Sequence, residues 1–295
     1  MAQPWFVCGD GFLGREVSCL SDSVKSPEPI HSSLKYAHNS PIQEIQKAME
    51  WIETLKPKVF LNATGPSNVN ESFTRREYFE SEPLALVKAH IELLARLQDP
   101  PVYVYLSSAA VYGETSASGA DETTVPMPIS PYGVGKLRAE KFLSSSNYPG
   151  MSIIILRVFS SYANSLSSRL PHAIRQKFDK SPNPEFAGTG EELRDFIHTQ
   201  DLAAAASLII ADQLKPRIST WNVASGIPFS VSDVVNVAAS EYGRRHPDNS
   251  YTFKFNHEQR PYDPKILLAD ISKLKGLGFK PKISPTDGFT EYFKV

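Results

Sequence analysis

Tyr132 and Lys136 stand four residues apart in the run SPYGVGK at 130–136, a spacing that puts both side chains on one face of a helix. A tyrosine phenol with an ordinary pKa of about 10 is a poor acid or base near neutrality. A lysine ammonium beside it favours the phenolate and brings proton transfer within reach. Ser107 and Ser108 close an apolar run upstream, VYVYLSS. A hydroxyl there can bond the same oxygen that the phenol serves. Phenol, ammonium and hydroxyl together make a device for moving a proton on and off a carbon-bound oxygen. A Tyr/Lys pair on a helix surface means nothing alone; the glycines at the N-terminus give it meaning.

Those glycines are Gly9-Asp10-Gly11-Phe12-Leu13-Gly14, a G-x-G-x-x-G turn directly after the first apolar run, PWFVC at 4–8. Such a turn lets backbone approach a pyrophosphate, and the following helix offers unpaired N–H groups to it. The chemistry indicated is then hydride transfer with a nicotinamide dinucleotide, NAD or NADP, whose positive ring also favours the phenolate. No convincing acidic ribose ligand stands at the usual offset of about 20 residues further on. The count from Gly14 lands at Ser32 and Ser33, with Lys35 close by, which leans toward a 2′-phosphate, although NAD and NADP stay nearly balanced.

These groups need a scaffold. Strands are expected at 4–8, 58–63, 102–108, 152–159 and 221–224, with 29–33 the only candidate in a Ser-, Pro- and Asn-rich stretch at 21–41. Helices are expected from 12 to about 20 and over 42–56, 83–97, 131–144, 201–211 and 232–242. Ser130 and Pro131 read as the cap and first turn of the 131–144 helix. Strands apolar on both faces and alternating with helices indicate a parallel sheet covered on both sides.

Composition sets the limits. The chain has 295 residues, 41% hydrophobic and 21% charged, with a formal net charge of -1. No global basic field points to nucleic acid, so an anionic substrate must be held by a few placed arginines. Two cysteines, Cys8 and Cys19, are too few for a cysteine-rich metal site, and their places at a strand end and late in a helix argue against a bridge. No signal peptide or membrane span is visible, and a cytoplasmic, reducing setting is expected.

Beyond these readings, the chain resembles the extended short-chain dehydrogenase/reductase family, in its NAD-dependent epimerase/dehydratase branch that works on nucleotide-sugars. The resemblance runs through GDGFLG (9–14), LNATG (61–65), SSAAVYG (107–113), SPYGVGK (130–136), LRVFSSY (156–162), RDFIHTQDLAAA (194–205), NVASG (222–226), RPYDP (260–264) and LGFKPKIS (277–284). It implies a Rossmann-type doubly wound parallel sheet with a smaller C-terminal substrate-binding domain. The cofactor domain would be 1–164, with 196–225 returning to it, and the substrate domain 165–195 with 226–295. It implies a homodimer built through helices such as 83–97 and 131–144.

By the same resemblance, Tyr132 is the catalytic acid/base, Lys136 its partner and Ser108 the orienting hydroxyl. Gly9, Gly11, Phe12, Leu13 and Gly14 cradle the pyrophosphate, and Ser32 falls at the ribose position. Ala63, Thr64 and Gly65 pass the cofactor, and Val158 and Phe159 lie near its carboxamide. Arg194 and Arg260 bind the substrate diphosphate, Asp263 contacts the sugar-nucleotide, and Pro184 and Phe186 cradle the base. His198 is expected to make a structural hydrogen bond.

Departures from the family pattern narrow the reaction. Ala109 and Ala110 replace the Asp-Glu that 4,6-dehydratases use to eliminate water, and two alanines move no proton. Ser160 and Ala163 replace an asparagine and a glycine. The short region between the first strand and LNATG resembles 4-ketoreductases. The sequence therefore implies hydride transfer at C4 of a nucleotide-sugar, as a 4-epimerase or a 4-ketoreductase. A non-catalytic dinucleotide-binding regulator of the same fold is the alternative.

Overall fold

The structure is a computed structural model that describes residues 5–9, 12–14, 16, 52–145, 148, 150–165, 169–212, 217–258 and 262–294. Its centre is a parallel sheet of β1 (Trp5–Cys8), β2 (Val59–Asn62), β3 (Val102–Ser108), β4 (Ile153–Val158) and, returning from later in the chain, β8 (Ile218–Val223), in that spatial order. The expected strand at 29–33 and most of the 42–56 helix lie outside the described residues.

These strands form because their runs are apolar on both faces and both faces are covered. Tyr103 and Tyr105 pack with Val87, Ile91, Ala139 and Leu143 on one side. Val104, Leu106, Ile154 and Leu156 pack with Leu202, Ala205 and Ile209 on the other. The first side is covered by α2 (Arg76–Leu94), which follows α1 (Val69–Thr74), and by α3 (Pro131–Ser145); the second is covered by α5 (Thr199–Ala211), which comes after α4 (Arg169–Lys180).

Helix α2 begins at Arg76, seven residues before the expected start, and carries Pro83 in its interior. A proline there forfeits the bond from its missing N–H to the Phe79 carbonyl one turn earlier. Burial of Phe79, Pro83, Leu86 and Val87 on one side sustains the helix through it.

Beyond β4 the chain forms smaller elements: β5 (Ser160–Tyr162), β6 (Glu185–Phe186), β7 (Leu193–His198), β9 (Pro228–Ser230), α6 (Val231–Arg245), β10 (Lys254–Phe255), β11 (Ile266–Leu267), α7 (Ser272–Gly276) and α8 (Pro285–Phe293). β7 pairs with β5, β9 and β11. An aromatic cluster of Tyr162, Phe178, Phe186, Phe196, Tyr242 and Phe289 fills the space between them. Because the main sheet is parallel and registered, Cys8 opposite Asn62 and Ser108 opposite Val158, its carboxyl ends lie along one edge, where open α/β sheets take ligands.

Candidate active site

The glycine turn leaves β1 at that edge. Ala63 N–H bonds Cys8 carbonyl at 2.7 Å, which brings the next strand's exit against Gly9. Gly9 has φ +121°, and a Cβ there would sit 2.6 Å from the Ala63 carbonyl carbon and oxygen. A Cβ on Gly14 would sit 2.0 Å from the Gly9 carbonyl oxygen. The first and third glycines are thus required by their own surroundings, and a dinucleotide cradle fits the backbone. Phe12 and Leu13 lie in the helical turn between them. Gly11 and Ser32 fall outside the described residues.

The next strand delivers Ala63, Thr64 and Gly65 to the same edge. Thr64 is held there by its N–H and hydroxyl, which donate to Asn62 Oδ1 at 2.9 and 2.6 Å. Asn62 in turn donates to Tyr103 Oη at 2.8 Å. Val158 ends β4, and the next residue, Phe159, bonds the Val223 carbonyl through its N–H at 3.0 Å. All the cofactor positions that the structure describes therefore meet along one rim.

The Ser108 hydroxyl lies near enough to the Tyr132 phenol to favour its ionised form. Two local devices bring them together. Ser108 caps a 3-10 turn, Ala109–Val111, by accepting from Ala110 N–H at 3.2 Å. Ser130 caps α3 by accepting from Gly133 N–H at 3.1 Å, with Pro131 in the first turn. Gly133 then packs so tightly on the turn after Ser108 that a Cβ would sit 2.4 Å from the Ala110 carbonyl oxygen.

Lys136 lies one turn further along α3. It is 5% exposed, and its ammonium donates to the Leu106 carbonyl at 2.9 Å. Nζ stands 4.9 Å from the Tyr105 ring centre and 5.9 Å from that of Tyr132. Burial draws the Lys136 pKa down to about 8, against the pull of Glu140. Burial also pushes the Tyr132 phenol above its usual value, while the nearby Ser108 hydroxyl and the Arg169 charge act to lower it. A hydroxyl, a phenol and an ammonium converge at the rim, able to exchange a proton with a substrate oxygen.

The expected substrate groups are placed less simply. Arg194 on β7 is 8% exposed and pairs with Asp263 at 2.6 Å. Two residues read as substrate contacts thus touch each other. Pro184 is buried just before β6, and Phe186 packs among Phe178, Phe253 and Phe255 at ring separations of 5.9, 6.3 and 6.0 Å. Arg260 lies outside the described residues. His198 caps α5, Nδ1 accepting from Gln200 N–H at 3.2 Å, as a structural histidine would.

Three features escaped the sequence reading. Arg169 comes from a distant segment, has φ +67°, lies 5.6 Å over the Phe12 ring and acts electrostatically on Tyr132. Tyr105 places its ring against Lys136 because alternate residues of β3 face α3. Glu140, four residues after Lys136, binds both Ser107 and Arg157. Only Glu140 carried a sequence signal, its helical spacing. Among the described residues no cluster of three or more metal-ligating side chains forms, and no helix is long and apolar enough to cross a membrane.

The profile of the NAD dependent epimerase/dehydratase family matches residues 13–224. A UDP-glucose 4-epimerase of Mycoplasma genitalium is 26% identical over 78% of this chain and 72% of its own. Among solved structures, RMD from Pseudomonas aeruginosa complexed with NADPH superposes with a TM-score of 0.81 at 20% identity, covering 99% of this chain and 98% of its own. A UDP-glucose 4-epimerase of Thermus thermophilus complexed with NAD superposes with a TM-score of 0.75 at 19% identity, covering 98% of each chain.

Proposed function

The chain is an enzyme of the NAD-dependent epimerase/dehydratase family, and from that premise we propose that it inverts C4 of a nucleotide-sugar as a 4-epimerase. The observation that carries this reading is the meeting of Ser108, Tyr132 and Lys136 at the rim that also gathers Gly9, Ala63 and Val158. The sequence relative above, a UDP-glucose 4-epimerase, favours epimerisation.

A bound nicotinamide dinucleotide, NAD or NADP, supplies hydride acceptance and return at the sugar carbon. Gly9, Phe12, Leu13 and Gly14 would hold its pyrophosphate, Ala63 to Gly65 its path along the rim, and Val158 and Phe159 its far end. Tyr132 takes the C4 hydroxyl proton as that carbon is oxidised, and gives it back when the carbon is reduced from the other face. Ser108 bonds the same oxygen and fixes its direction. Lys136 holds positive charge beside the phenol and, together with the positive ring of the bound dinucleotide, would draw down a phenol that burial alone raises. Arg194 binds the diphosphate, with Asp263 orienting it. Residues 1–164 with 196–225 hold the cofactor, 165–195 with 226–295 hold the nucleotide-sugar, and two copies pair through α2 and α3.

Ala109 and Ala110 follow Ser108 with no proton-bearing side chain, which speaks against water elimination. A second reading, 4-ketoreduction with NADPH, draws support from the whole-length likeness to the NADPH-bound RMD structure. The test is turnover of UDP-glucose against turnover of a 4-keto-sugar nucleotide. Epimerisation leaves the reduced-cofactor absorbance unchanged, and ketoreduction consumes NAD(P)H stoichiometrically. In either case Tyr132→Phe lowers kcat by roughly 100- to 10,000-fold. A variant that keeps most of its activity would remove the acid/base assignment.

A further inference from the structure

Behind the proton-transfer groups lies a buried ionic cluster that the proposed reaction does not use. Glu140 is one helical turn past Lys136 and 3% exposed. Ser107 Oγ donates to Glu140 Oε1 at 2.5 Å. Arg157 Nε donates to both carboxylate oxygens at 3.2 Å, and Nη2 to Oε2 at 2.8 Å. Arg157 Nη1 continues to Tyr112 Oη at 2.9 Å, and Tyr112 donates to Asn222 Oδ1 at 2.7 Å.

The placement matters more than the pairing. Ser107 and Arg157 are direct partners across β3 and β4. The next rung is Ser108 opposite Val158, one a proton-transfer group and the other a proposed neighbour of the nicotinamide. One carboxylate thus ties the α3 turn bearing Lys136 to the last rung of the sheet before the site. A buried ion pair adds little stability over apolar packing, so its cost suggests a role other than holding the fold.

Building on the reading of Tyr132 as acid/base, we propose that Glu140 is the positioning residue for Lys136. Its carboxylate, shared between Ser107 and Arg157, ties the helical turn that carries Lys136 to β3 and β4, so that the ammonium, bonded to the Leu106 carbonyl, stays beside Tyr132 with a negative charge one turn away. Arg157 takes up part of the negative charge and so limits the effect.

Among the described residues few other charged groups reach Lys136. On α3 there are Tyr132 and Glu140. β3 contributes the Tyr105 ring and the Leu106 carbonyl, and β4 contributes Arg157 through Glu140. On α2, Glu80 is engaged by Arg76 and Arg138, while His90 faces Cys8 and Tyr103. On α1, Glu71 pairs with Arg75.

The test follows the lysine Cε signals of the full chain, labelled with carbon-13 and with the Lys136 signal assigned by Lys136→Arg, from about pH 6 to about pH 11. In the native chain the Lys136 midpoint is expected at about 8, drawn down by burial. Glu140→Gln is expected to lower that midpoint by roughly one pH unit, and Arg157→Gln to raise it. If Glu140→Gln does not fold because Arg157 is left uncompensated, the double variant Glu140→Gln/Arg157→Gln removes both charges and must still titrate below the native chain. In turnover, Glu140→Gln moves the alkaline limb to lower pH and reduces kcat about tenfold above it, with KM little changed.

Equal Lys136 midpoints in the native, Glu140→Gln and Arg157→Gln chains, or equal midpoints in the native chain and the double variant, overturn the proposal. An active Tyr132→Phe chain with shifted midpoints would instead overturn the acid/base reading and leave the Glu140 coupling standing.

Discussion

Gly135 gives the sharpest test of how the helix carrying the site is placed. It is buried on α3, directly before Lys136, and a Cβ there would lie 2.0 Å from the Phe79 carbonyl oxygen and 3.2 Å from Pro83 Cγ on α2. Cβ atoms essentially never approach a heavy atom closer than 3.0 Å, so Gly135→Ala forces α2 and α3 apart by about 1 Å. The obstacle is backbone, and no side chain can swing aside. Two effects then compete. Alanine improves helix propensity by about 1 kcal/mol, whereas overpacking a well-filled contact costs about 1–3 kcal/mol. The net expectation is a loss of roughly 0–2 kcal/mol in urea unfolding. Activity is the more sensitive readout. Tyr132 and Lys136 ride on the displaced helix, and a misplacement of about 1 Å costs on the order of 100-fold in kcat. Gly243→Ala is the control. It lies inside α6, and a Cβ there meets nothing within 4 Å, so it should stabilise by about 1 kcal/mol and leave kcat unchanged. A Gly135→Ala chain with native kcat would refute the argument that this helix contact sets the catalytic geometry.

Further outcomes are expected elsewhere. Burial holds the His90 pKa at about 3 against 6.5, so the unfolded chain takes up more protons between those values and stability falls as pH drops from 6.5 toward 3; His90→Gln should flatten that limb in unfolding measured across pH. Burial raises the Asp195 carboxyl to about 6 from 3.8 against the bonds from Ser225 and Gly226, so its contribution has the opposite sign and is lost as pH rises from 3.8 through 6. Asp195→Asn should therefore steepen the acid limb, and an unaltered limb would refute the assignment. Gly14→Ala, whose Cβ would meet the Gly9 carbonyl at 2.0 Å, should weaken dinucleotide binding by roughly tenfold or more in fluorescence titration; unchanged affinity would mean that the turn does not hold the pyrophosphate. Arg194→Ala should raise KM for a nucleotide-sugar by about tenfold or more with a smaller change in kcat, and an unchanged KM would leave Arg194 as only a structural partner of Asp263.

Local sequence carried the strand runs, the glycine turn, the Ser130 cap and the Tyr132/Lys136 spacing, because each depends on neighbours within a few residues. An apolar run such as VYVYLSS can hardly be anything but a buried strand, and a proline after a capping serine starts a helix wherever it sits. Even the spacing that later proved to place Glu140 beneath Lys136 is a helical repeat within one segment. What the sequence could not state is which distant groups meet. A helix over 83–97 puts Pro83 in its first turn, yet α2 begins at Arg76 and continues through the proline because burial outweighs one lost hydrogen bond. Arg194 and Asp263 are each expected at the nucleotide-sugar from sequence, and they meet because β11, just after Asp263, runs beside β7. Arg157 becomes the partner of Glu140 because β3 and β4 pair in one register. The closeness of α2 to α3 rests on Gly135, which brings no side chain to the crossing. Charge pairing and close approach depend on distances across the fold, and only tertiary packing sets those.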